Sequence, residues 1–315
     1  MKLAHKKNEV RHIVADWHQQ RNRVALVPTM GALHDGHISL IRHARQHADH
    51  VVVSIFVNPA QFGPGEDYEQ YPRSLNNDVE ICRKEGVALV FAPDQDEMYG
   101  PEGTVVNRFI SFHISKMNEH LCGASRKGHF EGVLLVVNKL FNIVRPDVVV
   151  FGQKDIQQWF IVRQMVEEQD HQVEVLMCPT IRNADGFAWS SRNVCLTKSE
   201  RGKAPMLYEA LQRITGKLSD NREQASPGRK ESESGVKAGY VAHLDKTLIS
   251  AEITRLEKNG FMVDYLSVVS APDLQPVDVI KPERQFVIAV AAWLGETRLI
   301  DNILLNTKNV PDYDS

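Results

Sequence analysis

Residues 24–37 read Val24-Ala25-Leu26-Val27-Pro28-Thr29-Met30-Gly31-Ala32-Leu33-His34-Asp35-Gly36-His37. The first four are an uninterrupted apolar run, which marks a strand covered on both faces. From His37 to Ala48 the apolar residues Ile38, Ile41, Ala44 and Ala48 recur at helical spacing. Between strand and helix lies a turn containing two glycines and two histidines. A strand, a glycine-bearing turn and a helix in that order form the opening unit of a parallel α/β sheet.

Working outward, the same pattern repeats. Val51 to Val57, Val87 to Phe91, Val148 to Phe151 and Val173 to Leu176 are further apolar, β-branched runs. A helix is expected from Ser74, as N-cap, to Gly86, as the residue after its C-cap. Continuous rather than alternating apolar runs imply a parallel sheet with helices on both faces. Residues 1–182 are therefore expected to form a doubly wound, Rossmann-like α/β domain, with ligands at the carboxyl ends of its strands.

Beyond about Arg182 the rhythm changes. Thr197-Lys198-Ser199-Glu200 matches a capping box and is expected to start a long helix. A second helix is expected near Val241 to Asn259. Strand-like runs follow at Met262 to Val269, Gln285 to Trp293 and Arg298 to Leu305. Residues 183–315 thus read as a smaller α+β domain with an antiparallel sheet. Within it Asp220 to Lys237 has only Ala225 and Val236 as apolar residues, so it cannot bury enough surface to fold and reads as a flexible loop.

Composition narrows the partners. The 315 residues carry a net charge of −3, which gives no global reason to bind nucleic acid or a membrane surface. The N-terminus has charge but no apolar stretch after it, unlike a signal peptide. Phe286 to Leu294, the longest apolar run, is too short to cross a bilayer. Cys82, Cys122, Cys178 and Cys195 form no CxxC pair, and reduced cysteines suit a cytoplasmic location.

Four segments carry chemistry. Gly31 and Gly36 allow close backbone approach, and the helix that follows presents free N–H groups with a partial positive charge, a ready site for phosphate. His34 and His37, three residues apart, can both face that phosphate, donating hydrogen bonds and holding charge near neutral pH. Gly152-Gln153-Lys154-Asp155 follows another central strand, where glycine and lysine again suit a phosphate chain. Trp189-Ser190-Ser191-Arg192 supplies two hydroxyls and a guanidinium for terminal phosphates. Asn58-Pro59-Ala60-Gln61-Phe62 places an amide at the rim of the sheet. Taken singly, the last two segments also read as ordinary turns. His43, His47 and His50 share a helix face that could hold a metal, but no Glu or Cys completes the set, and a solvated face is the expectation.

The H-x-G-H turn at 34–37 resembles the nucleotidyltransferase superfamily, in which such imidazoles stabilise charge at an α-phosphate. More specifically, the chain resembles the pantothenate synthetase (pantoate–β-alanine ligase) family. The strings that carry this are PTMGALHDGH at 28–37, VSIFVNPAQF at 53–62, YPRS at 71–74 and GHFEGV at 128–133. FGQKD at 151–155, SSRN at 190–193 and AAWLGETRLIDN at 291–302 complete them. The likeness covers nearly the whole chain except the 220–237 segment.

The resemblance implies a two-step reaction: pantoate attacks the α-phosphate of ATP, and the amine of β-alanine then displaces AMP from pantoyl adenylate. It implies that Met30, Gly31, Ala32, Leu33, His34, Asp35, Gly36 and His37 line the ATP site, with His37, His34 and Lys154 catalytic. Gly152, Gln153, Lys154, Asp155, Trp189, Ser190, Ser191 and Arg192 would complete that site, and Ile181 would meet adenine through its backbone. Gln61 and Gln158 would hold pantoate, Gln61 would also meet β-alanine, and Arg126 would face the substrate. Mg2+ would arrive on the ATP phosphates, steadied by Asp78, with no metal site of the protein's own. A homodimer is implied as well. The chain departs from the family pattern at Trp189, usually Met or Leu, at Lys127, usually Pro, and in the length of the 220–237 segment. Another nucleotidylyltransferase of the same fold is the alternative activity, and a nucleotide sensor that has kept the fold without catalysis is a third.

Overall fold

A computed structural model of the chain describes residues 1–100, 110–224, 242–281 and 284–305. In chain order the elements are β1 (Lys2–Ala4), α1 (Lys7–Gln19), β2 (Val24–Thr29), α2 (Asp35–His47), β3 (His50–Ile55), α3 (Leu75–Lys84), β4 (Leu89–Phe91) and α4 (Gln95–Tyr99). There follow α5 (Cys122–Ser125), α6 (His129–Val144), β5 (Val148–Gly152), α7 (Ile156–Glu168), β6 (Glu174–Cys178), α8 (Lys198–Lys203) and α9 (Met206–Gln224). The last are β7 (Ala242–His243), α10 (Lys246–Lys258), β8 (Phe261–Ala271), β9 (Val279–Ile280), β10 (Gln285–Leu294) and β11 (Thr297–Leu305).

The chain forms two compact units. One comprises Met1–Ser115, Arg126–Ile181 and Trp189–Ser191; the other Lys116–Ser125, Arg182–Ala188 and Arg192–Ser315, in each case over the described residues. The chain thus passes between the units more than once, rather than at a single boundary near residue 182.

The first unit holds a six-stranded sheet in the order β1-β4-β3-β2-β5-β6, with every pairing parallel. Strand residues alternate between the two faces, and both alternating sets are buried. Ala25, Val27, Val51, Val53, Val148 and Val150 pack against Leu40, Ile41 and Ala44 of α2 and Val79 and Cys82 of α3. Val24, Leu26, Val52 and Val149, which point the other way, are equally buried. Helix α6 adjoins both α1 and α7, with α1 touching β2 and α7 touching β5. Coverage of both faces is why the strands read as unbroken apolar runs. The chain lays down β2, β3 and β4 in one direction, then returns to add β5 and β6 on the other side of β2. The reversal opens a crevice beyond the carboxyl ends of β2 and β5.

The second unit has a three-stranded antiparallel sheet, β11-β10-β8, and a two-stranded one, β7-β9. Its core joins Leu207, Leu211, Ile214 and Leu218 of α9 and Leu256 of α10 to Phe286, Ile288 and Val290 of β10. Arg182 lays its guanidinium on the Tyr208 ring at 3.6 Å and pairs with Asp301 at 2.6 and 2.9 Å.

Three expectations are corrected. The Thr197–Glu200 capping box is present, but the helix it opens ends at Lys203. Pro205 has no N–H to carry the ladder across, and α9 starts afresh at Met206. Asp220 to Gln224 continue α9 rather than opening a loop, and residues 225–237 lie outside the described set. His50 stands on β3, stacked on Trp17 at 4.2 Å, so only His43 and His47 share the helix face.

Candidate active site

The turn after β2 is fixed from beneath. Gly31 and Ala32 adopt left-handed backbone angles, φ 83° and 51°. That aims the N–H groups of Ala32 and Leu33 at the two carboxylate oxygens of Asp78, at 3.0 and 2.9 Å. Ser74 is the N-cap of α3, as expected, but donates its hydroxyl to the same carboxylate at 3.1 Å rather than accepting a backbone N–H. A Cβ on Gly31 would stand 3.0 Å from Asp78 Oδ2, so glycine is what admits this contact. Asp78 is fully buried, with both oxygens engaged by protein donors. Its place in this structure is under the loop, where it holds the turn.

The two histidines cap α2 reciprocally. His34 Nδ1 accepts the N–H of Gly36 at 3.1 Å, and His37 Nδ1 accepts the N–H of His34 at 3.4 Å. With both Nδ1 atoms accepting, the proton of each neutral ring lies on Nε2. The rings lie 4.1 Å apart. Burial first, then the Lys154 ammonium, brings His34 down to about 4 despite Asp155 and Asp35. Burial, then His34 and Lys154, brings His37 down to about 3. Before any ligand arrives both are therefore neutral N–H donors at pH 7, not the charged groups expected from their type.

Lys154 and Asp155 lie in a single 3-10 turn directly after β5, with Nζ and Oδ1 3.9 Å apart. Their charges act on His34, and that of Lys154 also on His37, so the two turns on either side of the crevice converge. Trp189 stacks on His34, centroids 6.2 Å apart and planes 19° from parallel. Its backbone N–H donates to the carbonyl of Ile181 at 3.1 Å. Ser191 meets the Tyr71 hydroxyl at 2.9 Å.

Gln61 sits on a 3-10 turn, Pro59–Gln61, capped by Asn58. Asn58 Oδ1 accepts the N–H of Ala60 at 3.2 Å and the Tyr99 hydroxyl at 2.5 Å. Its Nδ2 donates to the carbonyl of Gly132 and to Gln61 Oε1, both at 3.0 Å. A backbone N–H on one side and a backbone carbonyl on the other leave the Asn58 amide one orientation, and that in turn fixes Gln61. Gln61 accepts from Asn58 and turns Nε2–H to the weakly accepting Met30 sulfur at 3.1 Å. A strong donor is thus aimed beside the histidine turn.

Other expected residues are placed as follows. Gly152 ends β5 against Leu40 of α2, and Gln158 is half-buried in the first turn of α7. Arg192 falls in the second unit. Arg126 is bonded to Glu66 and His129. Lys127 is exposed in the turn before α6. Tyr99 and Glu66 were not anticipated, and neither adjoins a motif. Asn58 and His129 lie inside quoted strings, and a polar side chain starting an otherwise apolar helix was the available sign for His129.

Known proteins resemble the chain along nearly its whole length. The family model for pantoate-β-alanine ligase matches residues 2–304. A pantothenate synthetase of Alcanivorax borkumensis is 45% identical over 97% of this chain and 98% of its own length. One from Thermotoga petrophila is 43% identical over 97% and 100%. A crystal structure of pantothenate synthetase from Thermus thermophilus superposes with a TM-score of 0.79 at 36% identity, covering 96% of this chain and 99% of the other. The pantoate-β-alanine ligase of Francisella tularensis, complexed with beta-gamma ATP and beta-alanine, gives a TM-score of 0.74 at 30% identity over 96% and 97%.

Proposed function

The chain belongs to the pantoate-β-alanine ligase family, and from that premise we propose how its residues divide the work. It joins pantoate to β-alanine using ATP. The carboxylate of pantoate attacks the α-phosphate and pyrophosphate leaves. The amine of β-alanine then attacks the acyl carbon of the adenylate, loses a proton, and expels AMP.

One observation carries this reading: two neutral imidazoles that keep their proton on Nε2, and the Lys154 ammonium whose charge acts on both, converge at the sheet reversal. An in-line displacement at phosphorus needs positioned groups and neutralised charge more than a protein nucleophile. His34 and His37 donate to phosphate oxygens, and Lys154 offsets the charge that develops on them. The α2 N-terminus and Met30 to Gly36 cradle the nucleotide. Gly152 to Asp155 and Trp189 to Ser191 flank the phosphates, Ile181 meets adenine, and Arg192 follows next in the chain as a further phosphate-binding candidate. Gln61 and Gln158 orient pantoate.

Among the described residues no three His, Cys, Asp or Glu side chains are grouped to hold a metal. Mg2+ enters, on this reading, as part of the MgATP substrate, as the family resemblance implies. A cytoplasmic homodimer completes the proposal; the family resemblance supports the dimer, and four cysteines held in no disulfide suit the compartment. No helix among the described residues is long and apolar enough to cross a membrane. Light scattering tests the dimer.

The reaction order is tested by mixing enzyme, ATP and pantoate without β-alanine. One equivalent of pyrophosphate and an enzyme-bound adenylate are expected. Pyrophosphate that appears only once β-alanine is added overturns the order.

A further inference from the structure

The Gln61 turn is held by a second set of bonds that reaches away from the substrate side. The carbonyl of Gln61 lies 2.7 Å from His129 Nδ1. A carbonyl only accepts, so His129 carries its proton on Nδ1 and turns a lone pair on Nε2 outward. That lone pair faces Arg126 Nη1 at 2.9 Å. Arg126 in turn grips Glu66 with both prongs, Nε to Oε1 at 2.9 Å and Nη2 to Oε2 at 2.6 Å. The donor-to-acceptor sense runs one way, from the guanidinium through the imidazole to the backbone carbonyl.

The arrangement demands a neutral ring, because a protonated one would set N–H against N–H. Burial, then the adjacent guanidinium, brings His129 down to about 4. Burial pushes Glu66 up, yet the Arg126 guanidinium outweighs it and holds this carboxyl below the usual range. Arg126 is 16% and Glu66 24% exposed at the side chain, which makes this ion pair better shielded than most on the surface.

We propose that Glu66, Arg126 and His129 form a positioning relay that sets the Gln61 turn and so aims its amide donor at pantoate, with Arg126 acting through His129 and not by touching substrate. The proposal rests on the reading of Gln61 as a pantoate-binding residue. Glu66 fixes the plane of the guanidinium, the guanidinium fixes the tautomer and tilt of the ring, and the ring fixes the carbonyl of the residue whose side chain meets the substrate. None of the three needs to contact a reacting atom.

Steady-state kinetics on His129→Ala, His129→Gln, Arg126→Ala, the Arg126→Ala/His129→Ala double variant and Gln61→Ala test this, with KM read separately for pantoate and ATP. His129→Ala is expected to raise the pantoate KM about tenfold, in line with one lost buried hydrogen bond, and to leave the ATP KM little changed. Gln at 129 can donate to the Gln61 carbonyl and accept from Arg126, so His129→Gln should recover most of the loss. The double variant should be no worse than the more damaged single one. Losses that multiply show Arg126 contacting substrate directly and overturn the relay. So does a normal pantoate KM in His129→Ala when Gln61→Ala raises it. A normal pantoate KM in Gln61→Ala overturns the underlying reading of Gln61 instead. If His129→Ala does not fold, Glu66→Gln carries the test, since it keeps the shape and removes the charge; a smaller rise confined to the pantoate KM is expected, and no rise overturns the relay.

Discussion

Gly132 in α6 lies so close to Ala60 that a Cβ added to it would stand 2.0 Å from the Ala60 carbonyl oxygen and 2.6 Å from the N of Gln61. Both obstacles are backbone, so no side-chain rotation relieves them. The helix and the Gln61 turn can meet only where one of them has no side chain. The same Gly132 accepts the Asn58 amide through its own carbonyl at 3.0 Å.

Gly132→Ala should therefore damage both stability and substrate binding. Overpacking of this kind costs about 1–3 kcal/mol, and the turn it displaces is the one that carries Gln61. Gly216 in α9 is the control, because a Cβ there meets nothing within 4 Å. Gly216→Ala should be neutral or stabilise by up to about 1 kcal/mol. Thermal unfolding and pantoate KM measure both; a Gly132→Ala enzyme that melts and binds normally would refute the packing argument.

His37→Ala should lower the adenylation rate about a hundredfold or more, the usual consequence of removing one preorganised donor worth ~3 kcal/mol. His34 does two jobs, since its Nδ1 also caps α2 through Gly36. His34→Ala should thus lose rate and about 1 kcal/mol of stability. His34→Asn keeps a good cap but cannot extend a donor as far, so it should restore stability without restoring rate. Single-turnover pyrophosphate release, read beside urea unfolding, separates the two effects.

The parts of this molecule that were legible in sequence are those whose signal is local. Strands such as β3 announce themselves because burial on both faces forces an apolar run, and the histidine turn because glycines follow a strand end. β1 was not legible, since Lys2-Leu3-Ala4 is too short to carry a pattern and gains its identity only by pairing with β4. The break at Pro205 was written in the chain, but the capping box before it gives no hint of where the helix ends. Within the site, the duties of Asp78 and Glu66 rest on partners 46 and 60 residues away. No periodicity encodes such contacts. A buried acid under a loop and an acid bound to metal have the same letter, and only placement tells them apart.

Acid should destabilise the fold before it protonates the carboxylates. His129 is 8% exposed and its folded-state value lies near 4, well below that of an unfolded imidazole. Below about pH 6.5 the unfolded chain takes up a proton that the native ring refuses, so this stability is intact above that pH and is lost as pH falls toward 4. The slope for one such group is about 1.4 kcal/mol per pH unit. Between pH 7 and pH 5 the wild-type chain should lose about 2 kcal/mol more than His129→Gln, measured by urea unfolding. Equal losses in the two proteins would show that His129 is already protonated, or exposed, in the native state.

Asp78 offers the sharpest choice between two duties for one carboxylate. Under the loop, it satisfies the N–H groups of Ala32 and Leu33 and the hydroxyl of Ser74. Asp78→Asn would keep one acceptor oxygen and turn an NH2 group toward a backbone N–H. Such a buried mismatch costs about 1–3 kcal/mol, and the nucleotide loop loses its anchor with it. The expected result is a lower melting temperature and a raised ATP KM, with the Mg2+ concentration for half-maximal activity unchanged at saturating ATP. A metal-steadying role predicts the reverse: normal stability and a raised Mg2+ requirement. Asp78 is fully buried beneath the turn, with Gly31 shaped to admit it, so the structural outcome is the one expected. A normal melting curve joined to a raised Mg2+ requirement would return Asp78 to the metal.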